Sequence, residues 1–168
     1  MPHRRHARPN VRGLEKEGRG YYMWKTVHGI ASFSVFRVSV LQTDGSYRNR
    51  VGRVAMILTS PMKQAAYSNV YTLPAAANST EAEWASVAGG LEFALEKGED
   101  VIGIENDNQG VIMTILTPAY EPKQKYAVYY RNLIYKYASC TNWTGIRWIP
   151  RVQNRADDLF RKGEYSDR

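Results

Sequence analysis

Residues 78–95, NSTEAEWASVAGGLEFAL, constrain the fold more than any other stretch of the chain. Trp84, Val87, Ala88, Leu91, Ala94 and Leu95 recur at steps of three, four and seven, which puts them on one face of a helix of about five turns. Glu92, Glu96 and Lys97 take the other face. Ser79 or Thr80 is positioned to cap its N-terminus, and Gly98 to end it. Two acids, Glu81 and Glu83, fall in the first turn, where the helix dipole favours negative charge. Thr80 and Glu83 have the spacing of a capping box. On this segment alone, helix capping explains both glutamates.

The flanking segments say what this helix lies on. Residues 35–43, 52–59 and 66–73 alternate or are rich in β-branched residues, and Asp44-Gly45-Ser46, Pro61 and Pro74 punctuate them. Three strands with no helix between them predict an antiparallel meander, with links slightly longer than a tight hairpin. After the helix, the apolar run 101–106 predicts a strand returning to the same sheet, parallel through a right-handed crossover. Short and long helices follow at 109–116 and 124–137, then a strand at 145–149 and a last helix at 154–162. The predicted architecture is a five-stranded mixed sheet with helices packed on it, to which α/β and α+β apply equally. A domain over 35–163 is expected, preceded by a basic, flexible arm over 1–34 and followed by a tail over 164–168.

Composition narrows the partner. The chain of 168 residues carries a net charge of +7, an excess that favours polyanions, nucleic acid before an acidic membrane surface. Residues 1–20 supply much of that excess through Arg4, Arg5, Arg8, Arg12, Arg19 and Lys16, set against Glu15 and Glu17. A solvated tail and a nucleic-acid arm are equally open readings of this segment. It lacks the apolar stretch of a signal peptide, and its two glutamates count against an organellar transit peptide. No run of about 18 apolar residues exists to span a membrane. The lone Cys140 excludes an internal disulfide and a cysteine zinc site, and fits a reducing, cytoplasmic compartment. A monomer is expected.

The acids are distributed one per element. Asp44 ends the first expected strand, Glu83 begins the long helix, Asp107 ends the fourth strand and Asp157 lies in the last helix. Singly, each has a plainer explanation: a turn residue at Asp44, a cap at Asp107, surface acids at Asp157 and Asp158. Strand ends on one sheet edge converge, however, and four converging carboxylates repel one another unless cations intervene. Oxygen donors of this kind suit Mg²⁺ or Mn²⁺.

Four blocks in order resemble type 1 ribonuclease H in its compact form. They are Leu41 to Ser46 (LQTDGS), Ala82 to Leu95 (AEWASVAGGLEFAL), Ile104 to Val111 (IENDNQGV) and Arg147 to Leu159 (RWIPRVQNRADDL). The resemblance covers roughly residues 35–163. It implies the ribonuclease H-like fold, and it implies Asp44, Glu83, Asp107 and Asp157 as catalytic metal ligands, selecting Glu83 over Glu81 and Asp157 over Asp158. The departures are also informative. Thr80 stands where the family often has asparagine, Asn106 and Asn108 flank Asp107, and Asn154 precedes the Ala-Asp pair by one residue fewer than usual. The loop 150–153 holds no histidine, and no lysine-rich extra helix precedes Trp148.

The activity implied by the resemblance is endonucleolytic hydrolysis of the RNA strand of an RNA–DNA hybrid by two Mg²⁺ or Mn²⁺ ions. Gly45, Ser46, Thr80, Gln109 and Asn154 occupy the motif positions for contacts to the hybrid, and Arg48, Arg50 and Arg151 are expected at its phosphates. Two other readings stay open: a catalytically faded binding or structural subunit on the same fold, and a related nuclease acting on another nucleic acid.

Overall fold

The computed structural model describes residues 23–34 and 37–166; residues 1–22 of the segment expected as an arm lie outside them. The described residues form one mixed sheet of six strands: β1 (Lys25–Gly29), β2 (Ser39–Arg48), β3 (Val51–Ser60), β4 (Ala65–Leu73), β5 (Val101–Asn106) and β6 (Trp143–Trp148). The spatial order is β1-β6-β5-β2-β3-β4. Among the described residues four α-helices accompany it: α1 (Ser79–Glu96), α2 (Gln109–Ile115), α3 (Lys125–Ala138) and α4 (Asp157–Ser166).

The sheet has one strand more than expected. β1, KTVHG, pairs antiparallel with β6, so the sheet begins inside the segment expected as an arm. Five residues with a register shift between Thr26 and His28 are too few to display a period of two. The meander β2-β3-β4 is antiparallel as expected. β2 nevertheless runs on through Asp44-Gly45-Ser46 instead of turning there, with Asp44 opposite Ala55 and Gly45 opposite Val54. The turn comes at Asn49 and Arg50, whose φ values of 53° and 63° are both positive, as a two-residue type I′ hairpin requires. That link is shorter than expected.

β2 is the pivot of the sheet, antiparallel to β3 on one side and parallel to β5 on the other. β5, VIGIEN, is buried along its whole length, consistent with its unbroken apolar run. Leu41, Val54, Met56, Leu58, Ile104 and Ile146 pack with Trp84, Val87 and Leu91 of α1 and with Ile134 of α3. Complete burial of one such aliphatic side chain contributes roughly 1.5–3 kcal/mol. Ala55, between Val54 and Met56, points to the opposite face and meets Ala156 and Phe160 at α4. The sheet is therefore covered by α1 and α3 on one side and by α4 on the other.

The α1 caps show how local chemistry aims the helix. Its N-cap is Asn78, one residue before the expected candidates. Asn78 Oδ1 accepts from the Glu81 amide at 2.9 Å, and Glu81 Oε1 accepts from the Ala77 amide at 2.8 Å. The capping-box acid is thus Glu81 rather than Glu83, which leaves Glu83 unspent. At the other end Gly98, at φ 80°, donates to Leu95 O, and Glu99 donates to Ala94 O. These are the two bonds of a Schellman stop.

Candidate active site

Asp44, Glu83 and Asp107 each present a carboxylate oxygen, and these atoms lie within 4.8 Å of one another. Three elements deliver them: the middle of β2, the second turn of α1 and the residue following β5. The approach of α1 to β2 depends on glycine. A Cβ at Gly45 would stand 2.3 Å from the carbonyl carbon and oxygen of Ala82, so no side chain fits between strand and helix. The same closeness lets the Gly45 amide donate to Glu83 Oε1 at 2.8 Å.

Asp107 is held by its neighbours' polar groups. Trp148 Nε1 donates to its carbonyl at 3.0 Å, and Asn106 Oδ1 accepts from the Asn108 amide at 2.7 Å. Asn108, not Asp107, caps α2, accepting from the Val111 amide at 3.0 Å. The Asp107 carboxylate is therefore not consumed as a cap.

The electrostatics follow from burial. The Asp44 carboxyl is pushed up to about 9, chiefly by desolvation and then by the charges of Glu83, Asp107 and Asp157. Glu83 is raised to about 7 by desolvation and by Asp107, against the opposing hydrogen bond from Gly45. Asp107 is also raised by desolvation, while Arg151 and Asn154 favour its charged form. Such a set cannot carry its full negative charge alone. With oxygen donors only, it fits a hard divalent cation.

The cluster opens into a cleft of about 610 Å³ lined by Asp157, Ser46, Thr80, Arg48 and Arg151 among others. Asp157 begins α4 and stands close enough to Asp44 to raise its pKa, while Arg161 Nη1 donates to Asp157 Oδ2 at 2.8 Å and Arg151 lies 3.8 Å from Oδ1. Ser46 Oγ is buried in the cleft without a hydrogen-bond partner.

Three expected contact residues do not line the cleft. Gln109 starts α2 beyond it, and Arg50 occupies the hairpin turn. Asn154 is buried beneath, its Nδ2 donating to Thr43 O at 2.9 Å. Sequence reasoning in turn did not place Tyr47, Asn108, Phe160 and Arg161 in the cleft wall. The i,i+4 spacing of Asp157 and Arg161 was a readable signal. Arg53, a further positive residue expected near the nucleic acid, does line the wall, where it pairs with Ser46 across β2 and β3.

Residues 42–162 match the profile of a family described as reverse transcriptase-like. Among solved structures, the chain is similar to ribonuclease H1 from Halobacterium salinarum at 25% identity and a TM-score of 0.65, covering 73% of this chain and 93% of that one. An N-terminal ribonuclease H domain from Mycobacterium tuberculosis gives 16% identity and a TM-score of 0.64, over 78% and 99% of the two chains. LC11 ribonuclease H1, solved in complex with an RNA/DNA hybrid, gives 18% and 0.61, over 72% and 92%. No curated protein matches the chain in sequence.

Proposed function

Because the chain belongs to the reverse transcriptase-like family and has a ribonuclease H-like fold, we propose that it hydrolyses the RNA strand of RNA–DNA hybrids with two Mg²⁺ or Mn²⁺ ions. The observation that carries this reading is the meeting of Asp44, Glu83 and Asp107 within 4.8 Å, at a cleft whose wall also holds Asp157 and four arginines. Asp44, Glu83, Asp107 and Asp157 would hold the ions. When bound, such ions supply an activated water and neutralise charge on the departing oxygen.

The remaining work falls to the chain. Arg48 and Arg151 in the cleft wall attract backbone phosphates, so affinity is set largely by charge and falls with salt. Buried, unpartnered Ser46 Oγ offers a hydrogen bond to the RNA strand, with Thr80 and the Gly45 backbone beside it in the cleft wall. Contacts to 2′-hydroxyls of this kind distinguish RNA from DNA and leave base sequence unread. The hybrid bound to LC11 ribonuclease H1 supports the choice of substrate.

The test is incubation of the purified full chain with a hybrid labelled on each strand, in Mg²⁺ and in Mn²⁺. The RNA strand is expected to be cut internally, the DNA strand left whole, and Asp107→Asn inactive. An intact RNA strand with both metals would end this reading.

A further inference from the structure

A second polar cluster lies on the α4 side of the sheet, outside the acidic site. Glu105 on β5 is buried and accepts from Arg147 Nε at 2.9 Å and Nη2 at 2.5 Å. The Arg147 guanidinium stacks 3.9 Å above the Trp24 ring. The second carboxylate oxygen of Glu105 accepts from Gln42 Nε2 at 2.8 Å. Gln42 then grips the loop before α4 on both sides of Asn154. Its Oε1 accepts from the Arg155 amide at 3.0 Å, and its Nε2 also donates to Gln153 O at 3.3 Å. Asn154 closes the clasp, donating to Thr43 O at 2.9 Å and accepting from the Ala156 amide at 3.2 Å.

Gln42 is two residues before Asp44, and Arg155 is two residues before Asp157. Among the described residues, these side-chain bonds tie the loop that carries Asp157 to the strand that carries Asp44. α4 itself contacts the sheet over a short stretch, at β2 and β3. We propose that Gln42, oriented by the Glu105–Arg147 pair, is a positioning residue that sets the Asp157 carboxylate against Asp44 and so sets the affinity of the site for divalent ions. This inference rests on the proposed nuclease function, and it concerns residues that do not line the cleft. Partners that orient metal ligands in this indirect way are worth roughly 10–100-fold in metal affinity or activity.

The experiment measures Mn²⁺ binding by titration calorimetry on the full chain, well below the melting temperature, beside steady-state hybrid cleavage. Wild type is measured first: a chain that neither binds Mn²⁺ nor cleaves overturns the nuclease reading and this inference with it. With an active wild type, Gln42→Met, which keeps shape and loses both bonds, is expected to bind Mn²⁺ at least about tenfold more weakly. Its kcat is expected to fall while KM for the hybrid stays constant. Gln42→Glu, which retains an acceptor for the Arg155 amide but opposes Glu105, guards against a Met variant that fails to fold. It is expected to be impaired alone and partly restored in Gln42→Glu/Glu105→Gln, where the donor and acceptor change places. A role in stability alone would lower the melting temperature and leave Mn²⁺ affinity and kcat unchanged. That result, or no recovery in the double variant, overturns the positioning role and leaves the nuclease reading standing.

Discussion

The two glutamates near the N-terminus of α1 show how much one hydrogen bond decides. Glu81 completes the capping box with Asn78, while Glu83 turns toward Asp44 and Asp107. Glu81→Gln is accordingly expected to keep most hybrid-cleaving activity, because a glutamine still accepts from the Ala77 amide. Glu83→Gln is expected to lose more than about 100-fold in kcat, since even indirect partners of metal ligands cost roughly 10–100-fold. Parallel kinetics on the two variants check this, and the reverse order would assign the roles wrongly. Gly45 is the residue on which their geometry rests. Gly45→Ala drives a methyl into the Ala82 carbonyl, so a loss of about 1–3 kcal/mol in urea denaturation is expected. Weakened Mg²⁺ binding should accompany it, because the backbone shift moves Glu83.

Among the elements, the β2–β3 hairpin departs furthest from its sequence signal. Asp-Gly is a turn dipeptide by propensity, yet here it lies mid-strand, because pairing with Val54 and Ala55 and the contact with α1 outweigh a local preference. The real turn, Asn49-Arg50, holds a non-glycine residue at φ 63°. Left-handed backbone costs such a residue roughly 1–2 kcal/mol. Arg50→Gly would create the Asn-Gly pair preferred in this turn, and is expected to raise the melting temperature by about 2–4 °C in a chain of this size. Differential scanning calorimetry would show an unchanged or lower value if the turn bears no strain. The body and C-terminal stop of α1 were legible, because a stripe of apolar residues and a glycine stop are local properties of the chain, while its N-cap fell one residue earlier than expected, at Asn78. β1 was not, since five half-exposed residues acquire strand character only by pairing with β6.

For the molecule as a whole, the buried acids couple charge to stability. Asp44 at about 9 and Glu83 at about 7 hold protons in the folded state that the unfolded chain, with carboxyls near 4, has already released. Their contribution to stability is complete below about pH 4 and is lost as pH rises through the folded values. In EDTA, the melting temperature is therefore expected to fall between pH 5 and pH 9 on account of these groups. Mg²⁺ should raise it most at the alkaline end, where the carboxylates are free to bind. Melting curves at several pH values, with and without Mg²⁺, measure both effects. An equal response to Mg²⁺ at pH 5 and pH 9 would mean that these acids do not receive the ion.

The meander, the long amphipathic helix, the buried parallel strand and the four acids worth following could be read from the sequence, because each is written in periodicity, punctuation or motif along a short stretch. It could not say that Glu83 is held by the Gly45 amide, that Asn154 is locked against Thr43, or that Gln42 ties the last loop to the strand of Asp44. Those assignments depend on distances between residues up to 113 positions apart. Only the closure of α1 and the last loop onto β2, a property of packing rather than of any local run, brings those partners within reach.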